Sequence, residues 1–269
     1  MRLRPNNKYW VLAITTQHYP MQFLPKSVFA LALAAALGSQ SANAHDRRFA
    51  YSYETTLMPK GTWEFEPWVT LKHYSDKDVW DFRYELEYGV TDRLQVAAYL
   101  SDWRYTDSDD GDSEATWRTA GFEAVYGLTD PNTSFLGSAL YGEVLLGPEK
   151  FALEGKLLLQ KNFGPLAVVY NGIVEAEWEG SSYDEKVGVW ENTLGLSYSF
   201  SPAFAVGVEA LHEVEFEDWS EAGDHVFFVG PNISYHTKNF YATVAGLFQA
   251  SDVDGEPEAQ VRMILGFSF

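Results

Sequence analysis

Residues 80–100, WDFRYELEYGVTDRLQVAAYL, carry the pattern that recurs along this chain. Trp80, Phe82, Tyr84, Leu86 and Tyr88 are apolar at every second position, and Asp81, Arg83, Glu85 and Glu87 fill the places between them. A period of two puts one set on each face of a β-strand. Gly89-Val90-Thr91-Asp92 then supplies turn chemistry, because Gly accepts positive φ and Asp bonds its own backbone. A second strand follows with Leu94, Val96, Ala98 and Leu100 on the apolar face and Gln95, Tyr99 and Ser101 on the other.

The same unit repeats to the end of the chain. From residue 61 the alternation predicts about twelve strands: 61–73, 79–88, 94–105, 117–126, 135–146, 151–162, 166–178, 187–200, 204–216, 226–235, 240–250 and 259–269. Each has the length that crosses a bilayer at a tilt. Tight turns are expected after the even strands, as at Gly164-Pro165 and Ser201-Pro202. Residues 106–116, 179–186, 217–224 and 251–258 read as longer acidic loops after odd strands. Loops sorted in this way are the mark of a single antiparallel transmembrane β-barrel, with periplasmic turns and extracellular loops. Tyr88, Tyr126, Phe163, Tyr198, Phe204, Tyr235 and Phe240 fall near the short-turn ends, and Trp80, Trp178, Trp190 and Phe216 near the others. Two interfacial girdles require that placement. Pro67 and Pro231 fall mid-strand, where each removes a ladder hydrogen bond; they predict bulges or a shifted boundary.

Composition narrows the class. The chain has 269 residues, 16% of them aromatic, and no cysteine, which excludes disulfides and thiolate metal sites. Past the N-terminus no apolar run approaches the roughly 18 residues of a membrane helix. Residues 1–44 hold Arg2, Arg4, Lys8 and Lys26 and no acid; Lys26 precedes the apolar run 28–37 and an Ala-x-Ala ending at Ala44. That is a secretory signal peptide, cleaved after Ala44, and Met21 stands where the true start would be. Without those four bases the chain carries 15 basic against 38 acidic residues, a net charge of −23. So acidic a protein is a poor partner for nucleic acid. Residues 45–60, with Phe49, Tyr51 and Tyr53 alternating, fit a periplasmic arm, a lumen plug or an extra strand. The barrel itself is expected over residues 61–269.

The last strand is the most specific element. Val261, Met263, Leu265, Phe267 and Phe269 alternate up to a terminal Phe. This resembles the sorting signal read by the barrel-assembly machinery. It implies a bacterial outer-membrane location, with periplasmic chaperones and then outer-membrane lipid and lipopolysaccharide as partners.

The whole mature chain resembles an uncharacterised family of Gram-negative outer-membrane barrels that carry a domain of unknown function. The stretches that carry the resemblance are Pro59-Lys60-Gly61-x-Trp63-Glu64-Phe65-Glu66, the turn region from Phe82 to Asp92, Phe228-Val229-Gly230-Pro231-x-Ile233-Ser234-Tyr235, and the C-terminal eight residues. The turn Tyr88-Gly89-Val90-Thr91-Asp92-Arg93-Leu94 is also similar to barrels grouped under a putative MetA pathway of phenol degradation. Neither resemblance implies a catalytic residue.

The strands and loops carry few residues with catalytic chemistry. His212 with Ser220, and His73 with Ser75, are candidate base and nucleophile pairs without a motif behind them, so no enzyme is expected. Residues 107–112, DSDDGD, fail the calcium-loop pattern: the Gly is one place early and no Glu stands at the twelfth position. No resident metal and no cofactor are expected, since no glycine-rich phosphate cradle is present.

The non-lipid register supplies the candidate site. Its acids are Glu64 and Glu66, then Asp81, Glu85 and Glu87, then Glu123, Glu143 and Glu154. Glu175, Glu177, Glu191, Glu209 and Glu213, with Glu215, continue the series. Against them stand Lys72, Arg83, Lys156 and Arg262, which leaves ten carboxylates without a cationic side chain. Like charges along a narrow wet passage concentrate cations. The leading expectation is a passive channel with a cation-preferring lumen, in which Arg83, Lys156 and Arg262 pair with Glu residues. The other is a non-conducting structural or adhesive barrel closed by its own charged network.

Overall fold

The computed structural model describes residues 47–269, so the signal peptide and the cleavage position after Ala44 lie outside the described residues. The first six strands are β1 (Trp63–His73), β2 (Lys77–Thr91), β3 (Leu94–Ser108), β4 (Ser113–Thr129), β5 (Gly137–Leu146) and β6 (Lys150–Phe163). Then come β7 (Leu166–Glu179), β8 (Glu185–Ser201), β9 (Phe204–Glu217), the two-residue β10 (Glu221–Ala222), β11 (Val226–His236), β12 (Phe240–Gln249) and β13 (Ala259–Ser268). All pairings are antiparallel. Twelve long strands form a closed ring in chain order, and β10 is a short extension on β9. The ring closes where β13 pairs with β1, and closure leaves no strand edge open.

The alternation located every long strand to within a few residues, because a half-lipid, half-lumen strand shows its period directly. Residues 251–258 lie between β12 and β13 as expected, but the first acidic loop differs. β3 and β4 stay paired from Tyr105↔Ala115 to Asp107↔Ser113, so most of the expected loop 106–116 is a strand hairpin with only 109–112 outside it. Acidic and Ser/Thr residues hid this part of the ladder, since a strand wet on both faces has no apolar period. The prolines also differ from expectation. Pro67 pairs with Tyr84 and Pro231 with Val208, with no register shift at either. On the opposite side of each, the ladder skips two residues and resumes in the same register. The missing N–H is absorbed as a gap and not as a bulge.

Leu153, Leu157, Leu194 and Val208 are exposed on the outer face, and Leu94 and Val96 share that register half-buried. Aromatic pairs ring both ends. Trp63–Tyr88 and Phe240–Phe267 have ring centroids 4.5 and 5.2 Å apart at the short-turn end. Phe151–Trp178 and Trp178–Trp219 lie at 5.2 and 4.9 Å at the other. Val261, Met263, Leu265, Phe267 and Phe269 fall on the outward register of β13, which continues into Phe269. The Phe269 N–H donates to the Trp63 carbonyl at 2.9 Å, and the Trp63 N–H donates to the Phe269 carbonyl at 3.1 Å.

The packed core sits inside the ring, gathered around residues 47–58. Tyr53 packs with Val125, Ala139, Tyr141 and Leu158; Ala50 with Tyr241, Ala245 and Ile264; and Phe49 with Ala167 and Val169.

Candidate functional site in the lumen

Residues 47–58 enter from the short-turn end, where the Gly61 N–H donates to the Gly89 carbonyl at 2.7 Å. The segment forms no strand and folds back on itself. Arg48 closes that fold with its backbone N–H and guanidinium on the Glu54 carboxylate, at 2.6–2.9 Å. A chain without ladder partners must satisfy its N–H and C=O groups elsewhere. Here the barrel wall provides acceptors from strands far apart in sequence. The N–H groups of Ala50, Tyr51 and Ser52 all donate to the Glu209 carboxylate at 2.8–2.9 Å. The Tyr53 N–H donates to Asn171 Oδ1 at 2.6 Å, and Asn171 Nδ2 donates back to the Tyr53 carbonyl. Thr55 N–H reaches Gln160 and Met58 N–H reaches Gln95, at 2.8 and 2.9 Å. Side chains add to this: Arg47 to Glu66 at 2.7 Å, the Tyr53 hydroxyl to Glu123 at 2.9 Å, and Thr243 to the Arg47 carbonyl. Gly195 makes room for Phe49, whose ring would lie 2.6 Å from a Cβ at that position.

Around this segment every strand of the ring contributes an inward side chain that is at most 1% exposed. They are Glu64, Glu87, Gln95, Val125, Ala139, Leu158, Ala167, Ser197, Ala205, Ser234, Tyr241 and Ile264, in strand order.

On the loop side of the segment lies a cavity of about 240 Å³. Asp81, Arg83, Glu143, Glu154, Lys156, Glu175, Glu191 and Arg262 line it. Glu64, Glu66, Glu85, Glu87, Glu123 and Glu209 lie apart from it, buried around the plug segment. Glu177 sits beside Lys150, and Glu213 stands across the ladder from Glu191. The structure thus divides the expected acidic lumen into two zones of different character.

The charge balance needs correction. Beyond the four expected bases, Arg47, Arg104, Arg118 and Lys150 also line the cavity, eight bases beside six lining acids, the sixth acid being Asp102; with Glu66 and Glu177, bonded to Arg47 and Lys150, the acids also number eight. The register shift between Tyr99 and Asp102 explains two of these. It turns Asp102 and Arg104 inward, where strict alternation from Tyr99 would have put Ser101 and Trp103. Arg118 falls at the second irregularity of the same ladder. Arg104 forks onto Asp81 at 2.7 and 2.9 Å, and Lys150 meets Glu177 at 2.5 Å and Glu175 at 3.6 Å. Arg83 meets Asp102 and Glu143 at 3.5 and 3.7 Å, and Lys156 meets Glu154 at 2.9 Å. Arg262 departs from expectation. It donates to Thr70 and to the Ala50 carbonyl and lies 4.2 Å from the centre of the Tyr51 ring, so it grips the plug segment.

Gln95, Gln160 and Asn171, which accept from the segment, and Asn232, whose Nδ2 donates to the Arg48 carbonyl and to Glu209, are not among the expected site residues. Each is an amide at an inward position of an otherwise apolar stretch, and that was the signal available. The two candidate hydrolase pairs are not assembled. His73 Nδ1 lies 2.7 Å from Asp78, and His212 contacts His225 at 2.9 Å and Asn192 at 3.1 Å.

Residues 41–262 match the model of a family of unknown function, DUF6662. The chain belongs to that family. Among curated proteins none matches the sequence. Of solved structures, the NanC porin aligns with a TM-score of 0.52 at 10% identity, covering 76% of this chain and 98% of that one. The KdgM porin in complex with disordered oligogalacturonate aligns at 0.49 and 12% identity, over 77% and 99%. LpxR from Salmonella typhimurium aligns at 0.49 and 10% identity, over 75% and 99%. What this chain shares with the NanC porin at that identity is the outer-membrane barrel fold.

Proposed function

We propose that this protein resides in the bacterial outer membrane as a barrel held closed by its own N-terminal segment, with a charged vestibule on the loop side. The observation that carries the reading is the layer of twelve inward side chains, one per strand of the ring, each at most 1% exposed around residues 47–58. Solute crossing requires that segment to leave or shift. The multidentate hold of Glu209 on three backbone N–H groups supports a resting state in which it stays. This favours the closed barrel over the passive cation-preferring channel, because the acids that would select cations lie behind the plug segment or are matched by bases.

The vestibule is lined by charges of both signs. Arg47 and Lys150 are bonded to Glu66 and Glu177 outside the six lining acids, so its bases and acids balance at eight each. The turn similar to the phenol-degradation barrels supports the architecture and adds no substrate. Lipopolysaccharide around the barrel, the barrel-assembly machinery and periplasmic chaperones follow from the same location.

Proteoliposome swelling tests the reading. The mature protein should admit a small neutral sugar no faster than protein-free liposomes do. Swelling at the rate of an open porin refutes closure.

A further inference from the structure

Glu66 on β1 stands directly across the ladder from Glu85 on β2, and Glu87 follows on the same face of β2. Like charges directly opposite repel, so the pairing costs stability unless something lies between them. All three residues are at most 1% exposed, and one carboxylate oxygen from each falls within 4.8 Å of the others. A single ion with oxygen ligands at about 2.3–2.6 Å spans such a set.

The local contacts leave a defined deficit. Glu66 Oε1 accepts from Arg47 at 2.7 Å and from the Trp68 indole, and Glu87 Oε2 accepts from Gln95 at 3.0 Å. Neither oxygen of Glu85 has a hydrogen-bond partner among the described residues, and Glu66 Oε2 has none either. A fully buried carboxylate with no partner costs several kcal/mol, so it is matched by a cation or by a proton. Arg47 offsets one of the three carboxylates, and Glu64 stands across the ladder from Glu87, so the set keeps at least two negative charges for a divalent ion to match.

We infer that Glu66, Glu85 and Glu87 form a binding site for a hard divalent cation such as Ca2+ inside the lumen. The donors are all carboxylate oxygens, which suit Ca2+, Mg2+ or Mn2+ and not the softer metals. Gln95 bonds Glu87 and also receives the Met58 N–H, and Arg47 bonds Glu66. The ion would therefore tie the plug segment to β1 and β2. The site stands on these three residues whether or not the barrel conducts.

The test uses the full mature protein in detergent, stripped with a chelator and titrated with Mn2+ alone and then with Ca2+ in competition. One tight Mn2+ per barrel is expected, displaced by Ca2+ and lost in Glu85→Gln. Asp110→Asn, on the exposed β3–β4 turn, should leave it intact. Anomalous diffraction from Mn2+-soaked wild-type crystals gives a second reading that needs no variant, with a peak expected among the three carboxylates. The inference is overturned by the absence of tight Mn2+ binding, by a tight site that survives Glu85→Gln, or by an infrared carboxylic-acid band of Glu85 that added Ca2+ leaves unchanged.

Discussion

Glu209, on β9, accepts the backbone N–H of Tyr51 at 2.8 Å, and the same carboxylate holds the N–H groups on either side of it. One wall residue thereby fixes three consecutive residues of a segment that has no ladder of its own. Hydrogen bonds to a charged acceptor contribute about 1.5–3 kcal/mol each. Glu209→Ala leaves three donors without their acceptor and should speed amide exchange at residues 50–52 by at least about tenfold, while exchange in β1 and β13 stays slow. Equal exchange in the variant and the wild type would mean that the carboxylate does not hold the segment.

Gly195 is the second lever on the plug. A Cβ there would lie 2.6 Å from the Phe49 ring, and a strand backbone accepts a larger residue without strain of its own. Gly195→Val should therefore fold as a barrel with Phe49 expelled from its place. A 4-fluorophenylalanine placed at residue 49 reads this directly by 19F NMR: its ring should be shielded from a water-soluble paramagnetic agent in the parent and broadened by it when Gly195→Val is added. Shielding in both would place Phe49 elsewhere.

The strand pattern was legible in the chain because each strand meets lipid on one side only. The apolar period marked all twelve long strands, and Asp81, Glu143, Glu154, Glu175 and Glu191 of the other register line the cavity. What lay beyond reach has physical causes. The bulge after Tyr99 inverts the facing of Asp102 and Arg104, and no composition signal precedes it. Residues 45–60 alternate through Phe49, Tyr51 and Tyr53 and so fitted an arm, a plug or a strand equally; their contacts with Glu209, Asn171 and Gln160 join residues 105–159 apart in sequence. A pairing rule based on Glu against Lys and Arg alone could not foresee that backbone N–H groups would serve as the partners of Glu209.

The outer face makes a prediction that separates register from fold. Leu153, Leu157, Leu194 and Val208 are 38–45% exposed toward the surroundings of the barrel. Arg at these positions should cost about 2–4 kcal/mol near the midplane and less toward either end. Urea titration of folding into lipid vesicles measures it. A cost near zero at all four sites would mean that this face does not meet hydrocarbon.

The C-terminal residue closes the ring. Deleting Phe269 removes its N–H to the Trp63 carbonyl and the carbonyl that receives the Trp63 N–H, along with an aromatic residue of the outward register. The truncated protein should accumulate unassembled, read as loss of the heat-modifiable band in outer-membrane fractions. Normal assembly would show that neither these bonds nor the terminal aromatic is needed.

Closure by residues 47–58 is most directly tested by planar-bilayer recording of the mature barrel beside a variant lacking that segment, both verified as folded by heat modifiability. The intact protein should show no steady conductance, and the deleted form should open a stable channel. Steady channels of equal conductance in both would contradict the closed barrel.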